Sequence, residues 1–435
     1  MYLKLIQNIN SSGDSVLFGS SGIRRVMNDE SMAFFSDVSK AIGTFFNGGK
    51  VCVGCDIRNS SEALKDIVKK SLMSTGVDVI DIGVVPTPLL AFASKYFDGG
   101  IMITASHNPP EWNGIKVFSG GMGIGKNEQE LIEKIFMEKE YRHGSGKERH
   151  QDFLDDYENA IMDFLKRKGI KIRDDLHILI DPGNGAMSRI AKKILADIGM
   201  NVDSINDRPD GNFPNRLSEP KKETLSRAIE LSKDYNFAAC FDGDGDRVVF
   251  CDGKFFGYNE GIAAVSKMYG AKKIVTTVES GSLLDEVGDV IRVPVGDVNV
   301  AEGVRDYGAD IGVEQVGHYI FPEFGLFPET IIPIVIFASK FEERNINAKF
   351  YFQKTSIRTS NKKKSMEKIS SIFSGMNPKK LIKIDGIRAE FDFGWALIRP
   401  SGTEPLIRLM VETNDQGRTE GMIKELKKKI SEMVE

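Results

Sequence analysis

Ile101-Met102-Ile103-Thr104-Ala105-Ser106-His107-Asn108-Pro109 sets a short apolar run against a polar loop closed by a proline. An apolar run bounded by turn residues predicts a buried strand. The loop behind it holds the Ser106 hydroxyl beside an imidazole, and Pro109 stiffens the exit, as expected of a presented nucleophile. An ordinary turn rich in Ser, Asn and Pro has the same composition. The rest of the chain has to decide between the two.

The grammar of that stretch recurs. Residues 51–55 read as a buried strand ending at Asp56. Ser60 or Ser61 is placed to cap a helix with Leu64, Ile67, Val68 and Leu72 on its apolar face, and Gly76 ends it. Residues 77–82 alternate as another strand. A second unit opens with the apolar run 177–181, then Pro182-Gly183-Asn184-Gly185-Ala186 and a helical pattern through Ile190, Ile194 and Leu195, closing on residues 237–241. A third shows residues 274–278, Glu279-Ser280-Gly281-Ser282 and a helix. Strand, small-residue loop and helix thus appear three times, which predicts three similar α/β layers.

The charged stretch 138–155, with His143-Gly144-Ser145-Gly146, reads as a linker or exposed turn, and Lys362 to Lys364 as the last boundary. Beyond it come strands around residues 382–393, 396–398 and 406–411. A helix follows with Ile423, Leu426, Ile430 and Met433 on one face, so the last unit is a smaller α+β domain. The expected domains are 1–147 with the serine loop, 148–247, 248–358 and 359–435.

A chain of 435 residues exceeds one ordinary core, and 41% hydrophobic with 28% charged residues is the balance of a soluble globular protein. The net charge of −4, from 58 basic and 62 acidic residues spread along the chain, gives no global field for nucleic acid or anionic lipid. Neither partner is expected, and any anion must be bound locally. Met1 to Asn10 lacks the pattern of a signal peptide, and no stretch approaches the roughly eighteen apolar residues of a membrane span, so the expected location is the cytoplasm. Cys52 and Cys55 have zinc-ribbon spacing, but no second C-x-x-C completes it, so buried bystander thiols are expected.

The strongest chemical signal is Asp242-Gly243-Asp244-Gly245-Asp246-Arg247. Glycines let a tight turn aim Asp242, Asp244 and Asp246 at one spot, where three carboxylates without a cation repel one another. A hard divalent cation is implied, Mg²⁺ first, with Mn²⁺ or Ca²⁺ possible. An EF-hand is excluded, because Arg247 and Gly253 stand where its glycine and glutamate belong.

Arg399-Pro400-Ser401-Gly402-Thr403 joins a guanidinium to two hydroxyls and a flexible backbone, a kit for a phosphate dianion, with Arg408 able to add a second charge. A plain turn between strands is the alternative. Glu314 and His318 stand four apart between glycines on a turn, able to hydrogen-bond sugar hydroxyls, although a lone histidine is often structural. Lys116 is either solvated or a proton-handling amine near the serine. Arg24 and Arg25 close the Gly- and Ser-rich loop 18–25, which also reads as a solvated basic turn. Together these parts describe phosphoryl transfer through a serine, with a metal and a distant cradle for the substrate's own phosphate.

With FGSSGIRR, TASHNP followed by EWNGIKVF, DGDGDR, VEQVGH and RPSGTEPLIR in this order, and with VPTP and DPGNGA between them, the chain resembles the α-D-phosphohexomutase family nearly end to end. The family includes phosphomannomutase/phosphoglucomutase and phosphoglucosamine mutase. The resemblance implies four domains around a central cleft, three α/β with mixed sheets and a smaller α+β one. It implies Ser106 as the phosphoserine, Mg²⁺ on Ser106, Asp242, Asp244 and Asp246, and a hexose 1,6-bisphosphate intermediate. Arg24, His107 and Lys116 would line the transfer site, with Lys116 or His318 handling protons. Glu314 and His318 would read the sugar, and Arg399, Ser401, Gly402 and Thr403 would hold the non-reacting phosphate, joined by Arg247 and Arg408 in the substrate-binding set. The partner is then a small sugar phosphate, and the protein a monomer or homodimer.

Three positions depart from the family pattern. Val316 stands where a serine is usual, Arg25 where a glycine is common, and no basic residue follows Asp297 in Gly296-Asp297-Val298-Asn299. These changes point to altered specificity or weakened activity. The Glu314-Gln315 pair leans toward the phosphoglucosamine branch. Two other readings share some of these residues: a haloacid-dehalogenase-type phosphatase with Asp242 as nucleophile, and a sugar-phosphate-binding regulator without turnover.

Overall fold

Each apolar run singled out above pairs into a sheet in the structure, a computed structural model that describes residues 17–19, 22–401 and 404–434. Met1 to Asn10, Gly402 and Thr403 lie outside those residues. The first unit contains β1 (Ile23–Val26), β2 (Lys50–Cys55), β3 (Asp78–Val84), β4 (Gly99–Ile103), β5 (Trp112–Ser119), β6 (Met122–Gly123) and β7 (Glu148–His150). They form one sheet in the order β1-β5-β4-β2-β3-β7, with β6 on β5. Strands β4, β2, β3 and β7 run parallel, and β5 returns antiparallel to β4.

The second unit repeats this core with β8 (His177–Asp181), β9 (Asn201–Ser204), β10 (Phe237–Phe241), β11 (Val248–Cys251) and β12 (Phe255–Phe256), ordered β12-β11-β10-β8-β9. The third does so with β13 (Lys273–Thr277), β14 (Asp289–Val293), β15 (Ile311–Glu314) and β16 (His318–Ile320), ordered β14-β13-β15-β16. The fourth is an antiparallel sheet of β17 (Tyr351–Arg358), β18 (Lys380–Ile382), β19 (Ile387–Phe391), β20 (Gly394–Pro400) and β21 (Leu406–Thr413), ordered β17-β21-β20-β19-β18. The helix Gln416–Val434 buries Met422, Ile423, Leu426 and Ile430 against it.

The repetition explains where chemistry is displayed. In each of the first three units a parallel strand beside the central one ends in a loop before an antiparallel partner: β4 to β5, β10 to β11, β15 to β16. Ser106, the aspartate loop, and Glu314 with His318 occupy these three equivalent places, at carboxyl ends of strands where α/β folds bind ligands. One apolar core joins the three units, with Phe92, Tyr157 and Phe324 meeting at ring separations of 5.5 to 6.2 Å. The fourth unit has its own core and touches the third through Val278, Trp395, Leu397 and Met410.

Pairing corrects several expectations about the course of the chain. The boundary expected at 147 would strip β7 from β3, so part of the 138–155 stretch is an edge strand rather than a linker. A boundary at 247 would sever β11 and β12 from β10, and one at 358 would sever β17 from β21. Lys362 to Lys364 begin the helix Lys362–Ile369 inside the fourth unit. The helix Ser61–Ser74 follows Ser60, whose side chain makes no capping bond, while Ser61 Oγ donates to Asp56.

Candidate active site

Strand β4 is buried along its length and delivers Ser106 into a turn with φ +52°, a left-handed conformation that costs a non-glycine residue energy unless its surroundings hold it. Those surroundings are Asp56 and Arg58, both buried. Arg58 pairs with Asp56 through Nε at 3.1 Å and donates to the carbonyls of Ser106, Asn108, Pro109 and Trp112 at 2.6 to 3.0 Å. Asp56 also accepts from Thr104 Oγ1 at 2.7 Å, and Thr104 Oγ1 accepts from Ser106 N at 2.8 Å. The serine is therefore pinned from behind. Neither Asp56 nor Arg58 stood out in the sequence, because an isolated charged pair after a strand carries no local signature.

In front of it lies the aspartate loop. Ser106 Oγ donates to Asp242 Oδ2 at 3.0 Å and lies 3.3 Å from His107 Nδ1. Gly243 is what lets the loops approach: a Cβ there would meet Ser106 O at 2.6 Å. Asp242 Oδ1 accepts backbone N–H groups of Gly245 and Arg247 at 3.0 and 3.2 Å, which orients its other oxygen toward the serine. Thr87, from the VPTP stretch, donates to Asp244 Oδ2 at 2.6 Å and is a site contact for which no role had been read.

Lys116 lies on β5, whose outer neighbour β1 carries Arg24, whose Nη1 donates to Asn108 Oδ1 at 2.9 Å. Its ammonium spans Asp244 Oδ2 and Asp246 Oδ2 at 2.7 and 2.6 Å. Burial opposes that charge, yet the two carboxylates outweigh it and hold Lys116 protonated above its ordinary range. The same contacts settle Asp246 well below the carboxylate range, although burial alone pushes it up. Asp242 goes the other way: burial, then Asp244 and Asp246, push it well above.

Glu314 ends β15 and His318 begins β16, directly paired across the hairpin. His318 Nδ1 meets Glu314 Oε2 at 2.7 Å, and His318 Nε2 meets Asp246 Oδ1 at 3.3 Å. Burial works against the imidazolium, but Asp246 and Glu314 prevail and raise His318 to about 10. Arg247, burial and Arg24 instead pull His107 down to about 2. At neutral pH the site holds a charged His318 and Lys116 beside a neutral His107.

The three aspartates fit a divalent cation. Each offers an oxygen within 4.8 Å of the others, all three are buried, and Asp244 Oδ1 has no hydrogen-bond partner among the described residues. A buried carboxylate oxygen left bare is costly, and an all-oxygen donor set suits Mg²⁺.

The structure brings Ser106, His107, Arg24, Lys116, Asp242, Asp244, Asp246, Arg247, Glu314 and His318 into one neighbourhood. Arg399 stands further on: its Nη1 donates to Glu279 Oε1 at 2.5 Å and its Nη2 pairs with Asp385 Oδ2 at 3.0 Å. Ser401 is buried and Arg408 is partly exposed near Glu404. Val316, Gln315, Glu279 and Arg408 line one cleft of about 1100 Å³ that Glu219, Phe255 and Phe256 of the second unit line as well. Arg25, on the opposite side of β1 from Arg24, stacks over Phe34 at 3.8 Å, and Val298 packs near Gly123.

This arrangement has counterparts among known proteins. Family models match the chain over residues 15–143, 151–257, 260–353 and 355–429, described as α/β/α domains I, II and III and the C-terminal domain of phosphoglucomutase/phosphomannomutase. The chain belongs to the phosphoglucomutase/phosphomannomutase family. A probable phosphoglucosamine mutase of Pyrococcus abyssi is 36% identical over 448 residues, covering 96% of this chain and 98% of the relative. A phosphoglucomutase/phosphomannomutase of Thermococcus kodakarensis is 36% identical over 434 residues, covering 92% and 95%. The crystal structure of a phosphoglucomutase/phosphomannomutase family protein from Burkholderia thailandensis shares the fold at a TM-score of 0.82, with 24% identity over 94% of this chain and 96% of that one. Family membership agrees with the three α/β units and the different fourth one. Among the described residues, no helix is long and apolar enough to cross a membrane.

Proposed function

We propose that this protein is a phosphohexomutase that moves a phosphoryl group between O1 and O6 of a hexose phosphate by way of Ser106. The observation that carries the reading is the seating of Ser106 Oγ 3.0 Å from Asp242 in a buried cluster where acids and bases nearly balance. A phosphoserine adds about −1.5 to −2 charges, beyond what Lys116, Arg24, Arg247 and His318 already balance among the acids around them, so a divalent cation is needed to offset them. Asp242, Asp244, Asp246 and Ser106 would hold Mg²⁺, which when bound supplies further neutralisation of the transferring phosphoryl group.

In the forward half-reaction the bond from phosphorus to Ser106 Oγ breaks as one forms to the free hydroxyl of the bound hexose phosphate, giving hexose 1,6-bisphosphate. After the bisphosphate turns over in the site, its other phosphoryl group returns to Ser106. The sugar hydroxyl must lose a proton and Ser106 Oγ must gain one. Lys116 Nζ and His318 Nε2 are held in their acid forms, and His107 Nδ1 beside Oγ is the neutral acceptor. A phosphate dianion on Ser106 raises His107 toward useful basicity. In this reading Lys116 or His318 handles protons as the donor to the Ser106 oxygen that leaves.

Glu314 and His318 read the sugar hydroxyls, and Arg399, Ser401, Gly402, Thr403 and Arg408 hold the phosphate that does not react. Val316 offers no hydrogen bond, so the sugar loses one contact. The Gln315 side chain and the names of the relatives favour a glucosamine phosphate. The phosphatase reading finds no support, because the family models that match the chain are those of phosphoglucomutase/phosphomannomutase.

Purified protein with Mg²⁺ and a trace of hexose 1,6-bisphosphate is expected to interconvert hexose 1- and 6-phosphates, with kcat/KM highest for glucosamine among glucosamine, glucose and mannose. Binding of all three without isomerisation would favour the regulator reading and overturn this one.

A further inference from the structure

The three similar units each put an acidic side chain near the carboxyl end of the central strand: Asp56 after β2, Asp181 at the end of β8, and Glu279 two residues beyond β13. In the first two, that acid holds an arginine of its own unit, which fastens the neighbouring functional loop by its carbonyls. Arg58 does so for the serine loop. Arg216 does so for the aspartate loop, with Nε on Asp181 Oδ2 at 2.8 Å and Nη2 on the carbonyl of Phe241 at 2.7 Å.

The third unit breaks the pattern. Glu279 Oε1 takes Arg399 of the fourth unit, and Glu279 Oε2 accepts Gln315 Nε2 at 3.1 Å from the loop that carries Glu314. Arg399 Nε is buried with no partner among the described residues. The fourth unit does not depend on this pair to stay docked. Arg388 donates to the carbonyls of Val278 and Ser280 at 2.8 and 3.0 Å, and Ser282 N donates to Glu412 Oε1 at 2.6 Å.

We propose that Glu279 is a stand-in for the substrate phosphate: it occupies Arg399 in the empty enzyme and yields it when a phosphate dianion arrives. This rests on reading Arg399 as the phosphate-binding arginine. A guanidinium favours a dianion held on two N–H groups over carboxylates that each take one, as Glu279 and Asp385 do here, so phosphate wins, but its affinity is lowered by the Glu279 carboxylate it displaces. Displacement also frees the partner of Gln315, so filling of the cradle is felt in the sugar loop. Weakened holding suits an intermediate that must leave the cradle and turn around.

The test is calorimetric titration of inorganic phosphate into the Mg²⁺-loaded full chain, for the wild type, Glu279→Gln, Arg399→Met and the double variant. Glu279→Gln is expected to bind phosphate about tenfold tighter, with KM for hexose phosphate lowered and kcat reduced; the gain is the size expected from removing one charged competitor. In the Arg399→Met background the gain disappears. Mere structural damage would not tighten binding. Equal or weaker binding by a Glu279→Gln protein with unchanged melting temperature overturns the proposal, as does a gain that survives Arg399→Met. Should Glu279→Gln fold poorly, Glu279→Ala is expected to show the same gain, and its failure to do so counts equally against the proposal. The titration needs no turnover: a gain in a protein without mutase activity would sink the proposed function alone, and no gain in an active mutase would sink this inference alone.

Discussion

Ser106→Ala is expected to abolish interconversion of hexose phosphates, by on the order of 10⁴-fold or more, while leaving the fold in place. The hydroxyl has no substitute: besides carboxylates, cations and a neutral imidazole, the cluster's other hydroxyl is Thr87, which is committed to Asp244. The cost to stability is small. Alanine suffers in the left-handed conformation at φ +52° much as serine does, and Arg58 holds the loop through carbonyls that the substitution keeps. What is lost is one hydrogen bond to Asp242, worth about 1 kcal/mol. Initial rates and thermal melts on the same preparation separate the two effects. A folded Ser106→Ala protein with substantial activity would remove Ser106 from the mechanism.

The second large effect is expected at Asp244. Chelation should silence the enzyme and Mg²⁺ restore it, and Asp244→Asn should raise the Mg²⁺ requirement by about two orders of magnitude or more, since one of three charges and the unpaired oxygen are altered together. Lys116 keeps Asp246 as a partner in that variant, so the cluster does not come apart. A readout independent of turnover follows from mass action. A ligand at about 100 times its Kd stabilises the native state by about 2.7 kcal/mol, so Mg²⁺ raises the melting temperature of the wild type and does so far less for Asp244→Asn. An equal rise in both proteins would place the cation elsewhere.

Much of this could be read from residues alone, because the signals were local. Apolar runs 51–55, 101–103, 177–181 and 237–241 each became strands, and the motifs that follow them sit at equivalent strand ends. The features that escaped are non-local. Strand β7 is three exposed residues with no apolar signature, and its pairing with β3 is visible only once the sheet is built. Strand β17 pairs with β21 across the interval that holds β18, β19 and β20, and the three lysines that looked like a boundary belong to a short helix in the same interval.

The clamps around the site escaped for the same reason. Arg58, Arg216 and Glu279 are single charged residues in unremarkable surroundings, and only the topology sets each beside the loop it serves. Protonation was also out of reach. Lys116 and His318 are ordinary bases by type, and it is the carboxylates beside them, Asp246 with Asp244 and Glu314, that keep them charged against the cost of burial.

The central claim is that Ser106 carries the phosphoryl group between the two ends of the sugar. Incubating the Mg²⁺-loaded protein with hexose 1,6-bisphosphate, then locating the covalent phosphate by peptide mass spectrometry, tests it most directly. Acid-stable phosphate on Ser106, discharged by added hexose phosphate, is the predicted result; hydroxylamine-labile phosphate on Asp242, or no phosphoprotein in an actively turning-over sample, would contradict it.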